Sequence, residues 1–303
     1  HLMNKLKVMT IVGTRPEIIK LSEVMKELDL HVNHTIVHTG QNYDYELNEV
    51  FFDDLNIRKP DIFLEAVKGT PSETIGDIIA KADRVFEEVK PDALLVYGDT
   101  NSCLSVIPAK KRKIPIFHME AGNRCFDQRV PEEINRILTD EISDILLVTE
   151  QSGLDNLKGE GKPASRIAFV GNTMIDTIVA FTPKIDACSI LDDLNLKSMQ
   201  FILMTMHRPS NVDHEEGLKK LIKLITELGK SFKVVFPIHP RTLSKAKGFG
   251  LHDELVNLPN LIISEPMDYF SFQKLVKESF TVITDSGGIQ EETTFYQVPC
   301  LTV

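Results

Sequence analysis

The sequence lacks the features that mark several large classes of protein. Its four cysteines include no Cys-x-x-Cys pair, which fits free thiols in a reducing compartment better than a disulfide framework or a zinc site. No apolar run is long enough to cross a membrane as a helix, and no signal-peptide pattern opens the chain. Lys and Arg number 34 against 44 Asp and Glu, a net charge of −10 that argues against nucleic acid or an anionic membrane as partner. We therefore expect a cytoplasmic protein.

Motifs for nucleotide hydrolysis and for metal-dependent sugar transfer are also missing. The chain has no Walker A sequence and no Asp-x-Asp metal motif, so neither chemistry is favoured. The run Gly159-Glu160-Gly161-Lys162-Pro163-Ala164 imitates a dinucleotide fingerprint, but it follows a helical pattern instead of a strand. It is therefore not predicted to bind NAD.

What the chain does contain is a regular alternation of short β-branched runs with amphipathic helical stretches. This is the pattern of a parallel sheet covered by helices on both faces. The strands predicted from these runs are Leu6–Val12, His34–Thr39, Ala93–Tyr97, Ile114–His118, Ile145–Val148, Ile167–Val170, Phe201–Met206, Lys233–Ile238, Leu261–Ser264, Val282–Thr284 and Pro299–Val303. The helices predicted between them include Pro16–Leu28, Tyr43–Leu55, Thr74–Val89 and Glu215–Leu228.

The alternation is interrupted once, near residues 171–197, and then restarts. Pro183 and the polar run Asp192-Asp193-Leu194-Asn195 break the periodicity there. We predict an α/β protein with an N-terminal domain over 4–171, a linker region over 172–197 and a C-terminal domain over 198–303. Two further expectations concern the termini. His1-Leu2 is expected to be a cloning remnant, and the second domain, which ends on a strand, is expected to be incomplete at its C-terminus.

Two predicted strand ends carry signatures of anion binding. Gly13-Thr14-Arg15-Pro16-Glu17 follows the first strand, and Asp285-Ser286-Gly287-Gly288-Ile289-Gln290-Glu291-Glu292 follows the last but one. Each places backbone N–H groups at a helix start beyond the carboxyl end of a buried strand, where open α/β sheets bind anions. Arg15 and Lys20 are placed to meet phosphate oxygens, and Glu291 or Glu292 to accept ribose hydroxyls. The alternative at the first motif is an ordinary turn with solvated charges.

Carboxylates follow two further strands and open a helix. Asp99 and Glu120 each follow a strand, and Glu132 and Glu133 lie in a first helical turn. Taken singly, Asp99 is more often a helix cap, and a first-turn glutamate more often serves the helix dipole. Because all of them fall on one rim, Asp99, Glu120 and one of the two glutamates favour proton transfer. Glu120 continues a buried strand and needs a partner. The candidates are Arg124, Asp127 and Arg129.

Two histidine–arginine pairs follow strands of the second half. His207-Arg208 follows Phe201–Met206, and His239-Pro240-Arg241 follows Lys233–Ile238. One histidine at a strand end is more often structural. Two such pairs on adjacent strands favour a rim that handles anions or protons.

Six of these motifs occur in order and together resemble the non-hydrolysing UDP-N-acetylglucosamine 2-epimerases. They are Val12-Gly13-Thr14-Arg15-Pro16-Glu17, Gly98-Asp99-Thr100, His118-Met119-Glu120-Ala121-Gly122, Pro131-Glu132-Glu133-Ile134-Asn135-Arg136, Met206-His207-Arg208 and the 285–292 run. The likeness covers essentially the whole chain. It implies two Rossmann-like domains whose parallel sheets face a central cleft, a GT-B-type fold, with UDP bound by the C-terminal domain. It also implies a homodimer that needs no NAD and no metal.

The resemblance further implies roles for individual residues. Asp99, Glu120 and Glu132 would form the acid/base set, joined by His207, which would also meet the diphosphate. The remaining contacts to the UDP-sugar would come from Arg15, Lys20, Arg136, His239, Arg241, Ser286, Gly287, Gly288 and Glu292. Which carboxylate works on which face of the sugar is open.

The chemistry of the implied reaction explains why such residues are needed. The C2 hydrogen of the sugar has no adjacent carbonyl to acidify it. If the bond to UDP breaks first, positive charge at the anomeric carbon makes that hydrogen removable, and anti elimination gives a glycal and UDP. Re-addition with a proton delivered to the opposite face inverts C2. Cations must stabilise the leaving diphosphate, and acid/base groups must act on both faces.

The substrate and two other functions stay open. Gly122-Asn123-Arg124-Cys125-Phe126-Asp127-Gln128-Arg129 and Gly40-Gln41-Asn42-Tyr43-Asp44-Tyr45 are closer to a branch that acts on 6-deoxy UDP-N-acetylhexosamines, on the route to UDP-N-acetyl-L-fucosamine. The second half is closer to the UDP-N-acetylglucosamine branch. The alternatives in function are a retaining GT-B-type glycosyltransferase and a UDP-sugar sensor without activity. The rim carboxylates argue against both.

Overall fold

The computed structural model describes residues 5–303, so the expectation for His1-Leu2 and the start of the first domain at residue 4 lie outside the described residues. Contacts divide the chain into two compact units. Unit 1 ends at Ile178, and unit 2 comprises Val179–Val303. The boundary falls inside the segment 172–197, and the structure places two helices within that segment.

Unit 1 is built from seven strands and the helices between them. The strands are β1 Lys7–Val12, β2 Asn33–His38, β3 Ile62–Phe63, β4 Ala93–Tyr97, β5 Ile116–Met119, β6 Ile145–Val148 and β7 Ile167–Phe169. The helices are α1 Arg15–His31, α2 Glu49–Leu55, α3 Pro71–Val89, α4 Val106–Lys111, α5 Pro131–Ile142 and α6 Gln151–Gly159, with short 3₁₀ helices at Tyr45–Leu47, Asn101–Ser105 and Ala164–Arg166. Helix α7, Thr173–Asp186, contains the unit boundary.

The seven strands form one parallel sheet in the order β3-β2-β1-β4-β5-β6-β7. The chain moves outward from β1 on one side and, after α3, returns to β4 on the other side. β1 pairs directly with β4, with Ile11 opposite Val96. The loops that follow these two strands therefore leave the sheet side by side at its carboxyl edge, the place where doubly wound sheets bind ligands.

The core of unit 1 lies between this sheet and α3. Met9, Val96, Ile116 and Phe86 are at most 1% exposed, and Phe86 lies on the apolar stripe of α3 that the sequence predicts. Thr70 caps α3 in a reciprocal capping box with Glu73. Each fully buried side chain of this kind contributes roughly 1.5–3 kcal/mol.

Unit 2 repeats the same architecture with five strands. The strands are β8 Phe201–Thr205, β9 Lys233–Pro237, β10 Leu261–Ser264, β11 Thr281–Thr284 and β12 Cys300–Thr302. The helices are α8 Ile190–Asp193, α9 Pro209–Val212, α10 Glu215–Leu228, α11 Pro240–Gly248, α12 His252–Val256, α13 Tyr269–Glu278 and α14 Gln290–Tyr296, with a 3₁₀ helix at Gly287–Ile289. The parallel sheet has the order β10-β9-β8-β11-β12, so the loops after β8 and β11 are neighbours.

The predicted α/β class with two Rossmann-like parallel sheets is confirmed, and two local predictions are corrected. The predicted helix Tyr43–Leu55 is a 3₁₀ turn followed by α2, because the Asn48 side chain accepts the N–H of Phe51 and starts a new helix there. The sequence analysis missed β3, a two-residue edge strand too short to show a pattern. Among the described residues no helix is long and apolar enough to span a bilayer.

Candidate active site

The loop between β1 and α1 holds the first predicted anion-binding motif. Thr14 caps α1, and its hydroxyl accepts the N–H of Glu17 at 3.4 Å. Gly13 is needed for close approach, since a Cβ there would lie 2.0 Å from Ser102 Oγ and 2.7 Å from Thr39 Oγ1. The guanidinium of Arg15 lies over the Phe51 ring, 4.4 Å from its centre. In this contact the face of an aromatic ring stabilises the cation in place of a carboxylate.

Glu17 joins this loop to the loop after β4. Its carboxylate accepts the Gly13 N–H at 2.8 Å, the Thr14 hydroxyl at 2.9 Å and the Thr100 hydroxyl at 2.9 Å. The side chain is buried, and this desolvation raises the pKa of Glu17 to about 7 in spite of these hydrogen bonds. The sequence analysis did not single out Glu17. The Thr-x-x-Glu spacing of a capping box was the available signal.

Glu120 follows β5 in a left-handed backbone conformation with φ of 68°. A non-glycine residue held there is strained, which is common at functional sites. Its predicted need for a partner is met by Tyr97, whose hydroxyl donates to Glu120 Oε2 at 2.6 Å. Burial, with the nearby Glu120 charge, raises the pKa of Tyr97 well above its usual value. The ammonium of Lys20 lies 5.7 Å from the centre of the Tyr97 ring.

The charged partners that the sequence analysis proposed for Glu120 are wrong, because Arg124, Asp127 and Arg129 form ion pairs with other residues. Arg124 instead pairs with Asp140 at 2.8 Å and with Glu160 at 2.8 Å. Arg129 pairs with Asp127 at 2.9 Å. All three side chains do lie in the loop after β5, as the sequence predicts. Their partners depend on the tertiary fold, which the local sequence does not show.

Asp99 is paired with Arg136, the last residue of the Pro131–Arg136 motif. The guanidinium donates to Asp99 Oδ2 at 2.7 and 3.1 Å, and the Asn135 amide donates to the Asp99 carbonyl at 2.9 Å. The structure therefore brings a predicted acid/base residue together with a predicted substrate contact. Both side chains of this ion pair are partly exposed.

The two glutamates of the same motif have different surroundings. Glu133 is 1% exposed, accepts the N–H groups of Cys125 and Phe126 at 2.9 and 2.6 Å, and pairs with Arg136 at 3.2 Å. Burial alone would raise the pKa of Glu133, but the Arg136 and backbone hydrogen bonds outweigh it and lower the pKa. Glu133 thus anchors a loop. Glu132 is exposed, which leaves it as the candidate for chemistry.

In unit 2 the central residue is Asp285, which the sequence analysis quoted only as part of a motif. It is fully buried and accepts the backbone N–H of His207 and of Arg208 and the amide of Asn211, each at 2.9 Å. Burial would raise the pKa of Asp285, but these donors outweigh it and lower the pKa. The loop after β8 is therefore fixed to the end of β11, and His207 is exposed on it.

The turn after Asp285 is open to solvent. The Ser286 N–H donates to Thr284 Oγ1 at 3.2 Å, and the 3₁₀ helix Gly287–Ile289 follows. A Cβ built on Gly287 or Gly288 would meet nothing within 4 Å. The fold itself does not require glycine at either position, so the space above them is available to a ligand.

Glu292, the predicted ribose contact, is oriented by its neighbours. The amide of the buried Gln273 donates to Glu292 Oε2 at 2.8 Å, and Tyr296 donates its hydroxyl to Gln273 Oε1 at 2.8 Å. Because the carboxylate of Glu292 accepts from the amide nitrogen of Gln273, the amide oxygen is left to accept the Tyr296 hydroxyl. Gln273 and Tyr296 carried no signal in the sequence.

His239 and Arg241 follow β9, which pairs with β8. Both are exposed. The Arg241 N–H donates to His239 Nδ1 at 3.0 Å, and the Arg241 guanidinium is paired with Asp213. The structure therefore places this pair at the same edge of the sheet as His207, with the Arg241 charge partly neutralised.

Both units thus use a buried carboxylate to join two loops at the point where the strand order reverses. Unit 1 offers carboxylates and arginines at its edge, a set suited to proton transfer beside an anion. Unit 2 offers a glycine turn, histidines and backbone N–H groups, a set suited to a diphosphate.

Comparisons with known proteins agree with this arrangement. The chain is similar to a UDP-N-acetylglucosamine 2-epimerase from Rickettsia bellii, with 46% identity and a TM-score of 0.89 over 99% of this chain and 79% of that one. It is similar to the Methanocaldococcus jannaschii UDP-GlcNAc 2-epimerase in complex with UDP-GlcNAc and UDP, with 37% identity and a TM-score of 0.86 over 98% and 83%.

A relative with another substrate in its name matches almost as well. It is the UDP-2,3-diacetamido-2,3-dideoxy-D-glucuronate 2-epimerase of Pseudomonas aeruginosa, 39% identical over 98% of this chain and 83% of the relative. The family model described as UDP-N-acetylglucosamine 2-epimerase matches residues 26–303. The resemblance found in the sequence is therefore confirmed, and the chain belongs to the non-hydrolysing UDP-N-acetylglucosamine 2-epimerase family.

Proposed function

We propose that this protein inverts C2 of UDP-N-acetylglucosamine to give UDP-N-acetylmannosamine, by anti elimination of UDP to a glycal followed by re-addition. The observation that carries the proposal is the pair of carboxylates Asp99 and Glu120 at the ends of adjacent strands, one paired with Arg136 and one with Tyr97. An epimerase needs proton acceptors and donors on both faces of C2, and a glycosyltransferase does not.

The leaving diphosphate needs positive charge that strengthens as the anomeric bond breaks. We assign this role to Arg15, His207 and the Ser286–Gly288 turn, with the N–H groups of Gly287 and Gly288 as the donors of the turn. Lys20, Arg136, His239 and Arg241 are further contacts, and Glu292 binds the ribose. Arg15 is held by an aromatic face, so its donors stay available for phosphate oxygens. One such preorganised donor commonly contributes about 3–4 kcal/mol to the transition state.

Asp99, Glu120 and Glu132 are the proposed acid/base set. Oε2 of Glu120 accepts a short hydrogen bond from the Tyr97 hydroxyl. Oε1 is the oxygen that we propose takes the substrate proton. Glu132 lies in the first turn of α5 and is exposed. Each positioned acid or base is typically worth about 10²–10⁴-fold in rate.

A second candidate substrate is a 6-deoxy UDP-N-acetylhexosamine. Phe126 is 80% exposed in a left-handed conformation with φ of 59°, on the loop whose sequence resembles that branch. Its N–H is fixed by the buried Glu133. An exposed phenylalanine held this way favours an apolar group on the ligand, such as a C6 methyl. The homodimer and the cytoplasmic location stay predictions from the sequence.

The reaction is tested by incubating the protein in D₂O with UDP-N-acetylglucosamine alone and following the sugar by proton NMR. Epimerisation predicts deuterium at C2 in both epimers without any acceptor sugar. Tight binding without exchange contradicts it and supports a sensor. Parallel incubations with the 6-deoxy and the 2,3-diacetamido glucuronate substrates rank the three by their rates of exchange.

The glycine turn gives a separate prediction. The change Gly288→Ala is expected to weaken UDP binding at least tenfold, because the new methyl group occupies the space proposed for the diphosphate. Stability is expected to stay equal or to rise by about 0.4–1 kcal/mol, since a Cβ meets no atom of the protein and the unfolded chain loses freedom. Calorimetric titration with UDP and thermal unfolding measure the two effects.

Gly248→Ala is the matched control for this change. Gly248 lies in the same unit, at the end of α11, and a Cβ there also meets nothing within 4 Å. It should leave the affinity for UDP unchanged. If Gly288→Ala binds UDP as the parent does, the turn does not hold the diphosphate.

A further inference from the structure

A chain of charged side chains, buried except at its outer end, lies behind the two proposed acid/base loops of unit 1. His118 on β5 is 0% exposed, and its Nδ1 lies 2.6 Å from Asp140 Oδ1 on α5. Asp140 Oδ2 accepts the Gly122 N–H at 2.9 Å and an Arg124 N–H at 2.8 Å. Arg124 in turn meets Glu160 through two hydrogen bonds of 2.8 and 3.0 Å. Glu160 belongs to the Gly159–Ala164 run that has no dinucleotide role.

The other nitrogen of His118 determines its protonation state. Nε2 lies 2.8 Å from the backbone carbonyl of Gly98, which can only accept a hydrogen bond. Nδ1 faces a carboxylate whose second oxygen already accepts two N–H donors. Both ring nitrogens must therefore donate. Only the imidazolium form satisfies both contacts.

The charges around the ring fit this form. His118 faces Asp140 from α5, Glu120 on its own chain segment and, through Asp140, the guanidinium of Arg124. Burial alone would lower the pKa of His118, but Asp140 outweighs it and raises the pKa. Burial would likewise raise the pKa of Asp140, and His118 and Arg124 lower it. The row of four side chains therefore holds two positive groups and two negative groups, which are His118, Arg124, Asp140 and Glu160.

We propose that His118 is a positioning residue, held as an imidazolium, that fixes the loops of Asp99 and Glu120. The proposal rests on the proposed function. His118 binds the carbonyl of Gly98, directly before Asp99, and through Asp140 it fixes the N–H of Gly122, two residues after Glu120. His118 therefore joins the two loops through hydrogen bonds that a neutral ring beside an ionised Asp140 could not both make.

His34 shows that an ordinary buried histidine in this unit is built differently. Its Nδ1 lies 2.8 Å from Asp29, but its Nε2 lies 2.7 Å from the Thr10 hydroxyl, which can donate as well as accept. A neutral ring satisfies both contacts. Burial lowers the pKa of His34 despite Asp29. The two histidines share burial and an aspartate and differ in the partner of Nε2, which is a carbonyl for His118 and a hydroxyl for His34.

The protonation states are measured directly by ¹⁵N NMR of the histidine-labelled protein between pH 6 and 9. The His118→Gln and His34→Gln variants assign the two sets of signals. We expect both nitrogens of His118 to carry protons at pH 7.5, whereas His34 is neutral at the same pH. A neutral His118 at pH 7.5 overturns the proposal. This measurement needs no turnover, so its outcome is independent of the proposed reaction.

The variant Asp140→Asn tests the charge separately from the geometry. The amide oxygen can take the Gly122 and Arg124 donors, and the amide nitrogen can donate to a neutral His118 that still binds Gly98. All hydrogen bonds remain while the imidazolium is lost. We expect His118 to be neutral at pH 7.5 in this variant and kcat to stay close to that of the parent, because the contacts that fix both loops are kept.

His118→Gln serves as the second variant, since its amide can still donate to the Gly98 carbonyl without a charge. It breaks the connection from the Gly98 carbonyl to Asp140, so we expect kcat to fall by about tenfold or more while the Kd for UDP is unchanged. A folded His118→Gln variant with the kcat of the parent overturns the positioning role. A chain that does not epimerise in D₂O disproves the proposed function and leaves the NMR result standing.

Discussion

We expect the change Glu120→Gln to lower kcat by about 10²–10⁴-fold, the usual cost of losing one positioned acid or base. The amide keeps an oxygen that accepts the Tyr97 hydroxyl at the same place, so the strained loop after β5 is retained. What is lost is the ability to take a proton. The rate of deuterium incorporation at C2 should fall together with kcat, while the Kd for UDP stays within about twofold.

The control for this prediction is Glu141→Gln. Glu141 lies on α5 of the same unit and is an exposed carboxylate paired with Lys162, outside the proposed site. It should change neither turnover nor UDP binding. If Glu120→Gln retains more than a tenth of the parent turnover, Glu120 is not the proton acceptor, and Asp99 and Glu132 carry the chemistry without it.

The sequence predicted the parts of the fold that follow from local pattern. Parallel strands covered on both faces are nearly continuous apolar runs, so β4, β6 and β10 were predicted with the same ends as observed. The positions of Asp99, Glu120 and His207 followed as well, because a residue directly after such a strand must lie at the carboxyl edge of the sheet. The residues at the carboxyl edge of a sheet can therefore be predicted wherever the strands themselves can be predicted.

Partners across the fold could not be predicted in the same way. The loop Arg124–Arg129 offered three charged side chains to Glu120, yet the partner is Tyr97, which is the last residue of the neighbouring strand β4. A tyrosine inside an apolar run looks like a core residue in the sequence. Only the pairing of Tyr97 with Met119 shows that its hydroxyl reaches the residue after β5.

The choice between Glu132 and Glu133 shows the same limit. Both have the sequence context of a first helical turn. Their difference comes from which one faces the loop 123–126, and that depends on how α5 packs. Asp285 is similar, since its three donors come from residues 207, 208 and 211, far away in the chain. A buried carboxylate that organises loops is recognised by the groups that donate hydrogen bonds to it. Only the tertiary fold shows which groups these are.

Glu17 leads to the second large prediction, which concerns stability. Desolvation raises the pKa of this carboxyl from 4.5 to about 7 in the folded protein. The folded state therefore binds a proton more tightly than the unfolded state between these values. The contribution of Glu17 to stability is fully present below pH 4.5 and is lost as pH rises toward 7. At about 1.4 kcal/mol per pKa unit, the loss approaches roughly 3 kcal/mol.

The isosteric variant Glu17→Gln removes this titration and keeps the contacts. Its amide oxygen can accept from Gly13 and Thr14, and its amide nitrogen can donate to a reoriented Thr100 hydroxyl. We expect the free energy of unfolding of the variant, relative to the parent, to rise by roughly 3 kcal/mol between pH 4.5 and 7.5. Native-state hydrogen exchange of the β1 amides, measured for both proteins across this range, reports it for unit 1.

Glu73→Gln is the matched control, because Glu73 holds the corresponding place in the Thr-x-x-Glu motif of α3 but is exposed. Its difference from the parent should stay within about 0.5 kcal/mol at every pH. If Glu17→Gln also gives a difference that is flat with pH, the carboxyl of Glu17 is already ionised in the folded protein at pH 5. The three hydrogen bonds would then outweigh desolvation, and the junction between the β1 and β4 loops would be held by a charge instead of a proton.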